Sequence, residues 1–328
     1  MHAIQISETG GPEVLRYVEV PQPSPGRGEV LIKAEAIGVN YIDTYFRSGQ
    51  YPRELPFVIG SEMCGSVVST GEGPQKGTAG FTEGDRVVTA TASGGYAEFS
   101  TAPAALTARV PDGVTSDVAA SVLLKGLTAQ YLLKSVYPVQ AGDTVLVHAG
   151  AGGVGMILTQ WATLLGVRVI TTVSTPEKAR MSKQAGATEV LSYPDDADEF
   201  GRQIRALTDG AGVAAVYDGV GATTFDASLA SLAVRGTLAL FGAASGPVPP
   251  LDPQRLNAAG SVYLTRPSLA HFIRTGNEFT WRATELFEAI AGGSIAVEVG
   301  GRYPLAEAAR AHQDLQGRKT AGSIVLLP

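Results

Sequence analysis

A glycine-rich stretch between two apolar runs, at positions 144–173, constrains the fold of this chain more than any other feature. The β-branched run Thr144 to Val147 leads into H-A-G-A-G-G-V-G, which ends at Gly155. An uncharged segment follows from Met156 to Leu165 without glycine or proline, and a second apolar run covers Val167 to Val173. This order predicts a strand, a tight turn, a helix and a second strand parallel to the first.

The spacing of the glycines suits the pyrophosphate of a dinucleotide. Aligned on Gly155, the turn reads A-x-x-G-x-x-G with Ala149 and Gly152 at the earlier fixed positions, and Gly150 with Gly152 also gives a G-x-G start. Glycine permits a sharp turn, lets backbone N–H groups approach a phosphate and lets the helix pack closely on the strand. A lone glycine cluster also suits an ordinary tight turn. Its place between strand and helix favours a dinucleotide at the helix N-terminus.

The end of the second strand indicates which nicotinamide dinucleotide would bind. NAD-binding chains normally carry Asp or Glu there, about 20 residues after the glycines, to bind the ribose 2′-OH. This chain has Ser174 and Thr175 instead, with Lys178 in the next turn. Because a carboxylate repels a 2′-phosphate, whereas hydroxyl and ammonium groups stabilise it, these residues favour NADP(H). The alternative is that Ser174 caps a helix opening at Pro176 and that Lys178 is solvated.

Composition limits the classes of protein to which the chain can belong. Its 328 residues, 45% apolar and 17% charged, suit two folded domains of a soluble protein better than a disordered chain. The net charge of −6 and the lack of a basic aromatic stretch argue against nucleic acid as the main partner. A single cysteine, Cys64, rules out an intrachain disulfide, and no basic and apolar leader opens the sequence. We therefore expect a cytoplasmic protein that does not span a membrane.

The chain changes character near Ser116. From 1 to about 110, short β-rich runs alternate with proline and glycine turns, including a glycine-rich loop at 71–84. This pattern predicts an all-β, barrel-like or rolled domain. Two helices, Val118 to Leu124 and Gly126 to Tyr137, then lead into alternating strands and helices that predict a six-stranded, doubly wound parallel sheet.

The helices and strands after Arg266 are too few to form a domain of their own. We therefore expect them to return to the first domain, so that the doubly wound domain is inserted between two parts of the other. The predicted fold is α/β, with a β-rich domain at 1–123 and 267–328 and a doubly wound domain at 124–266. An active site would be expected in the cleft between the two domains.

Several separated motifs carry a resemblance that covers the whole chain. They are G-G-P-E-V-L at 10–15, G-V-N-Y-I-D-T-Y-F-R-S-G at 38–49, L-L-K-G-L-T-A-Q-Y-L-L at 123–133, Y-D-G-V-G at 217–221, Y-L-T-R-P-S-L at 263–269 and A-G-S-I-V-L-L-P at 321–328. With the glycine turn, they resemble the quinone oxidoreductase (zeta-crystallin) family, the zinc-free members of the medium-chain dehydrogenase/reductase superfamily. The resemblance implies a GroES-like catalytic domain, an NADPH-binding Rossmann domain and the reduction of quinones.

The resemblance also implies which residues bind the cofactor. The 2′-phosphate contacts of the family fall on Ser174, Lys178 and Tyr193, and Arg318 is similar to a position close to the adenine. The other implied positions are Gly152, Gly153 and Val154 in the glycine turn, Phe241 and Gly242 near the nicotinamide ribose, and Thr128 and Tyr131 as lining residues. The family often has Asn after the Phe-Gly pair, where this chain has Ala243.

The zinc-ligand positions of the related alcohol dehydrogenases are changed in this chain. Asn40 stands in place of a ligand Cys, and the G-H-E of those enzymes reads Gly60-Ser61-Glu62, so that Ser61 replaces the ligand His. Amide and hydroxyl oxygens are poor zinc ligands compared with thiolate and imidazole. We therefore expect no metal. The histidines show no ligand spacing and are interpreted as surface or packing residues; they are His2, His148, His271 and His312.

Without a Lewis acid, hydrogen-bond donors have to stabilise the charge that develops on a substrate oxygen. Asn40, Tyr45 and Arg266 match the pocket positions of the family and carry suitable donors. Two structural roles stay open, because Asn40 could hold only a turn and Arg266 could form only a salt bridge. The leading hypothesis is an NADPH:quinone reductase. The alternatives are an NADPH-dependent alkenal or enone reductase and a nucleotide-loaded RNA-binding or crystallin-like structural protein.

The run Ser261 to Thr265 predicts how the chain would associate. It is the expected last strand of the parallel sheet, hence an exposed edge, and it contains no charge or proline before Arg266 and Pro267. Pairing of two copies across a two-fold axis would satisfy both edges, so we expect a homodimer, in agreement with the family resemblance. The alternative is that a loop or helix of the same chain covers this strand.

Overall fold

The computed structural model describes residues 1–72 and 80–328. They form two compact units, Met1–Leu127 with Phe272–Pro328, and Thr128–His271. The middle of the loop predicted at 71–84 lies outside the described residues. No helix within the described ranges combines the length and apolar character that crossing a bilayer requires.

Strands dominate the N-terminal part of the first unit, followed by a long helix. The strands are β1 (His2–Ile6), β2 (Arg16–Glu19), β3 (Glu29–Val39), β4 (Phe57–Val58), β5 (Glu62–Thr70), β6 (Arg86–Thr89), β7 (Phe99–Pro103) and β8 (Thr107–Arg109). The helices are α1 (Tyr41–Ser48) and α2 (Ser116–Tyr131). Strands β1, β2 and β4 form a small sheet of their own, and the others belong to a larger one.

The second unit alternates strands and helices. These are β9 (Thr144–Val147), α3 (Gly153–Leu164), β10 (Arg168–Val173), α4 (Pro176–Gln184), β11 (Glu189–Ser192), α5 (Ala197–Ala206), β12 (Val213–Asp218), α6 (Phe225–Ser231), β13 (Leu232–Leu240), α7 (Gln254–Ala258) and β14 (Tyr263–Thr265). The strands pair in parallel in the order β11-β10-β9-β12-β13-β14. The predicted α/β fold with a doubly wound parallel sheet is confirmed.

The C-terminal segment adds two strands to the larger sheet of the first unit. Its elements are α8 (Leu269–Phe272), α9 (Gly276–Ala291), β15 (Val299–Pro304), α10 (Ala308–Gln316) and β16 (Ser323–Leu327). Strand β16 pairs antiparallel with β3, Ile324 opposite Val39, and parallel with β15. The sheet order is therefore β15-β16-β3-β5-β6-β8, with β7 also paired to β3.

Helix α1 shows that the prediction of an all-β region from 1 to about 110 was wrong. The carboxylate of Asp43 accepts a hydrogen bond of 2.8 Å from the backbone N–H of Asn40, which satisfies a donor at the helix start. Gly49, in the left-handed region at φ 79°, ends the helix. Asn-x-x-Asp is a local capping signal, and it outweighs the β-rich composition around it.

Helix α2 corrects a second prediction. The sequence suggested separate helices on the two sides of Gly126, but α2 runs through it without a break and continues into a π-helical turn at Leu132–Val136. A Cβ atom on Gly126 would lie 2.4 Å from a methyl group of Leu286 in α9. This glycine therefore permits close packing between two helices and does not end one.

Each unit has its own apolar core. In the second, Leu146, Ile170, Val216 and Leu238 come from four neighbouring parallel strands and are fully buried. Phe200 of α5 packs against them. Parallel strands that are covered on both faces read as continuous apolar runs, which explains why this sheet was readable in the sequence.

Candidate active site

The sheet of the second unit has a switch point where strand order reverses. Strand β9 lies between β10 and β12, so the chain winds away from it in both directions. In open α/β sheets, ligands bind beyond the carboxyl ends of the strands at such a point. Most of the predicted cofactor residues follow these strand ends: Gly152, Gly153 and Val154 after β9, Ser174 and Lys178 after β10, Tyr193 after β11, and Phe241 and Gly242 after β13.

The glycine turn forms a tight cradle at the start of α3. Gly152 is the residue before the first helical position, and among the described residues no side chain caps this helix. A Cβ on Gly155 would lie 2.3 Å from the carbonyl oxygen of Ala149, so only glycine allows this approach. Ala149 itself has a φ of 57°, in the region that glycine usually occupies. The uncapped N–H groups of a twelve-residue helix fit a phosphate.

The turn after β10 is capped by Thr175. Its hydroxyl oxygen accepts a hydrogen bond of 3.2 Å from the backbone N–H of Lys178, with Pro176 at the first helical turn. The alternative that Ser174 is the cap was therefore wrong. Ser174 is exposed immediately after the strand. Since Val173 pairs with Ser192, Ser174 and Tyr193 follow neighbouring positions on adjacent parallel strands.

Asp218 holds the two loops that follow β12 and β13. The sequence analysis did not identify this residue as part of the site. Its carboxylate accepts hydrogen bonds from the N–H groups of Val220 (2.8 Å) and Gly221 (3.0 Å). Its backbone carbonyl accepts from the N–H of Phe241 at 2.8 Å. A Cβ on Gly242 would lie 2.4 Å from the carbonyl oxygen of Gly219, so the loops are in close contact. An acidic residue directly before Gly-Val-Gly is the sequence signal that could have identified Asp218.

A buried hydrogen-bond chain links His148 to Asp218. His148 Nδ1 lies 2.8 Å from Thr172 Oγ1, and its Nε2 lies 3.1 Å from Ser228 Oγ. Ser228 donates its single proton to Asp218 Oδ2 at 2.8 Å, so it accepts from His148 Nε2. Burial lowers the pKa of His148, although Asp218 acts in the opposite direction. His148 is thus a neutral packing residue that ties together the ends of three strands.

Asn40 is embedded in a buried polar cluster of the first unit. It is 3% exposed, and its Nδ2 donates a hydrogen bond of 2.7 Å to Glu62 Oε2. Lys125 Nζ lies 3.7 Å from the same oxygen and donates to the carbonyl of Val39 at 3.2 Å. The N–H of Leu124 donates to Glu62 Oε1 at 2.7 Å. Burial raises the pKa of Glu62, while Lys125 and Asn40 act to lower it.

A second buried network starts from α1. Arg47 Nη1 lies 3.1 Å from His312 Nδ1, His312 Nε2 lies 3.0 Å from the Tyr96 hydroxyl, and this hydroxyl donates to Asp43 Oδ2 at 2.9 Å. A guanidinium can only donate, so His312 carries its proton on Nε2. Burial raises the pKa of Asp43 to about 7 and lowers that of His312 to about 3. Neither residue was identified from the sequence as part of a site.

Two more predicted residues lie in the first unit. Tyr45, on α1, is 7% exposed, and its ring centroid lies 5.6 Å from that of Tyr41 and 5.2 Å from that of Tyr51. Arg318 is exposed after α10, in the left-handed region at φ 56°. Burial raises the pKa of Tyr41, and the charge of Arg318 partly lowers it, so Arg318 lies within electrostatic range of α1.

The remaining predicted residues belong to the second unit. Thr128 and Tyr131 are buried, one helical turn apart at the end of α2. Arg266 is exposed directly after the edge strand β14. The structure thus gathers the glycine turn, Ser174, Lys178, Tyr193 and the Phe241 loop at one edge of a single sheet. Asn40, Tyr45 and Arg318 belong to the other unit.

A metal site is not apparent in the parts of the chain that the structure describes. In residues 1–72 and 80–328, no three His, Cys, Asp or Glu side chains are grouped so that they could hold an ion. Cys64 is fully buried in β5, and burial raises the pKa of its thiol to about 12. A thiol that stays protonated is a poor metal ligand.

Comparison with known proteins extends over the whole chain. Residues 26–112 match the family model "Alcohol dehydrogenase GroES-like domain", and residues 153–289 match "Zinc-binding dehydrogenase". The structure of a mycobacterial protein complexed with NADPH is 76% identical over 100% of both chains, with a TM-score of 0.99. A quinone oxidoreductase of Pseudomonas aeruginosa is 46% identical over 99% of each chain. A 2-haloacrylate reductase of a Burkholderia species is 40% identical over 99% of this chain and 98% of its own.

Proposed function

Because the chain belongs to the quinone oxidoreductase family of the medium-chain dehydrogenase/reductase superfamily, we propose that it reduces a quinone with NADPH and without zinc. The observation that carries the proposal is that Ser174 and Tyr193 follow two adjacent strands, with Lys178 in the first turn of α4. These residues offer hydroxyl groups and a cation where an NAD-binding chain has a carboxylate. The mycobacterial relative solved with NADPH supports the same cofactor.

The second unit provides the platform for the cofactor. NADPH supplies the hydride when it is bound. We assign the pyrophosphate to the N–H groups of Gly153 and Val154, which begin α3, and the 2′-phosphate to Lys178 in the first turn of α4. The Phe241–Gly242 loop, held by Asp218, would orient the nicotinamide end. The position of each residue beyond its strand supports these assignments.

The substrate side of the proposal rests on hydrogen-bond donors. As hydride reaches a quinone, negative charge develops on its oxygen, and donors aimed at that oxygen lower the barrier. We assign this role to the amide of Asn40, with Tyr45 and Arg266 as further pocket residues. A donor without a metal suffices for quinones, because their ring accepts hydride without strong polarisation of the carbonyl.

A second candidate reaction is the reduction of a conjugated C=C bond. The 2-haloacrylate reductase relative favours it, since its substrate name denotes an α,β-unsaturated acid. Hydride would then go to carbon, and the same donors would stabilise the enolate oxygen. The residues of the site serve both reactions, so the substrate has to be identified by experiment.

We further propose that the protein works in the cytoplasm as a homodimer joined through β14. This strand is the last in the order of the parallel sheet, and its Tyr263 is 63% exposed. The absence of charge from the strand supports pairing with a second copy.

Initial rates of NADPH oxidation test the proposed function. They are compared for a quinone, an enone and no acceptor, with the reduced product identified in each case. We expect fast oxidation with the quinone and little without an acceptor. Fast reduction of the enone alone would move the assignment to C=C reduction, and no acceptor-dependent oxidation would reject both.

A further inference from the structure

We propose that the buried Glu62–Lys125 ion pair positions the Asn40 amide, so that an N–H and not a carbonyl oxygen meets the substrate oxygen. The inference rests on the proposed function, because it assigns a role to groups behind Asn40. Glu62 is 0% exposed and Lys125 is 7% exposed. Both are positioning residues, since the contacts of Glu62 are with Asn40, Lys125 and the backbone of α2.

Two contacts set the orientation of the amide: the carboxylate of Glu62, and the capping box of α1, in which the Asn40 side chain accepts from the backbone N–H of Asp43. An ionised Glu62 can only accept hydrogen bonds, so Asn40 has to turn Nδ2 and not Oδ1 toward it. One Nδ2 hydrogen is used in this 2.7 Å bond, and we assign the second to the substrate oxygen. If the amide turned by 180°, its carbonyl oxygen would meet the oxygen on which negative charge develops, and the rate would fall.

Lys125 keeps Glu62 in the accepting form. A buried carboxylate without partners would take up a proton, and a protonated Glu62 could donate to Asn40 Oδ1 and allow the reversed orientation. The ammonium of Lys125 lies 3.7 Å from Glu62 Oε2, and the N–H of Leu124 donates to Oε1. Lys125 is itself held by the carbonyl of Val39, the residue before Asn40. The Glu62–Lys125 ion pair and the Asn40 amide therefore belong to one hydrogen-bonded network.

A purely structural role is the competing explanation. Glu62 joins β5 to α2, and loss of that link would destabilise the first unit. However, an ion pair taken out of water usually contributes less stability than apolar residues of the same size. Packing alone does not explain two charged groups that are both withdrawn from water. An orienting role explains why the group facing Asn40 accepts but cannot donate.

The test compares Glu62→Gln with Glu62→Gln/Asn40→Asp. In the single variant, the group facing Asn40 can donate as well as accept, and we expect kcat with NADPH and a quinone to fall about 10- to 100-fold. The Kd for NADPH should stay within about twofold. In the double variant, the carboxylate introduced by Asn40→Asp accepts from the amide introduced by Glu62→Gln, which restores the hydrogen bond and the melting temperature. A carboxylate cannot donate to the substrate, so kcat should stay low.

The low kcat of the double variant tests Asn40 as the donor, and the single variant tests Glu62. A melting temperature that falls in Glu62→Gln while kcat stays within about twofold of the wild type would show that the role of Glu62 is structural and would overturn the proposal. The matched control is Glu35→Gln in β3, where another carboxylate accepts from two side chains, Ser66 and Ser116, and where we expect no change in kcat.

The side-chain amide signal of Asn40 in an NMR spectrum gives a readout that is independent of activity. We expect one of its two hydrogens to be shifted downfield and protected from exchange in the wild type, and to lose both properties in Glu62→Gln. An unchanged signal would overturn the inference even if the enzyme is active. If the wild type oxidises NADPH with no acceptor while the signal behaves as expected, the proposed function fails and the orientation by Glu62 stands.

Discussion

The hydroxyl of Thr175 accepts a hydrogen bond of 3.2 Å from the backbone N–H of Lys178. This contact assigns the capping role to Thr175 and leaves Ser174 exposed beyond β10. It also shows that Lys178 stabilises the helix through its backbone. Its side chain can therefore be removed without loss of the cap, so Lys178→Ala is a suitable probe of cofactor choice.

We expect Lys178→Ala to weaken NADPH binding by about 1 to 3 kcal/mol, because a charge-assisted contact to the 2′-phosphate is lost. Binding of NADH, which lacks this phosphate, should be unchanged. Titration of both cofactors by fluorescence measures the difference. Lys183→Ala, which removes a lysine from the other end of α4, is the control and should affect neither cofactor. An equal loss for both cofactors in Lys178→Ala would contradict the assignment.

The prediction that no metal is bound follows from Asn40 and Ser61, which stand where the related alcohol dehydrogenases have zinc ligands. We expect exhaustive chelation to leave the rate of quinone reduction unchanged, and elemental analysis of the purified protein to find no stoichiometric zinc. Activity that is lost on chelation and restored only by zinc would show that other residues bind the ion.

Stability should depend on pH through Asp43 and His312 in opposite directions. The pKa of Asp43 is raised from 3.8 to about 7. Its contribution to the free energy of unfolding is therefore present at low pH and is lost as the pH rises between these values. The pKa of His312 is lowered from 6.5 to about 3, so its contribution is lost as the pH falls. Between about pH 4 and 6.5 the two slopes, each about 1.4 kcal/mol per pH unit, should nearly cancel.

The contributions of Asp43 and His312 can be separated with variants whose side chains have a similar shape but do not titrate. Relative to the wild type, Asp43→Asn should make the free energy of unfolding rise with pH in this window, because only His312 then titrates. His312→Gln should make it fall with pH. Urea denaturation at several pH values measures both slopes, and curves parallel to the wild type would show that neither group titrates as described.

The edge strand β14 predicts the association state. We expect a mass of about twice the 33.9 kDa chain in light scattering. Tyr263→Pro removes a backbone N–H from the strand and should shift the mass toward the monomer. Tyr263→Thr keeps the N–H and serves as the control. A monomer in the wild type would reject the dimer, and a dimer that persists in Tyr263→Pro would place its interface elsewhere.

Local signals explain which parts of this structure could be predicted. The parallel sheet was readable because its strands are continuous apolar runs between glycine turns. The clusters around Glu62 and Asp43 were not, because their partners lie far away in the sequence: Asn40 is 22 residues from Glu62, and Tyr96 is 53 from Asp43. The lysine in the apolar run L-L-K-G-L, which the sequence analysis did not single out, is a sign of a buried charge, but only the fold identifies its partner. Gly126 was misread because its packing partner, Leu286, lies still farther away in the sequence.

A single turnover of NADPH-loaded protein, mixed with a quinone in buffer that contains a chelator, tests zinc-free quinone reduction directly. We predict rapid oxidation of the bound NADPH with formation of the reduced quinone, and a much slower reaction at the same concentration of NADH. Bound NADPH that stays reduced in the presence of the quinone, or oxidation that requires added zinc, would contradict this prediction.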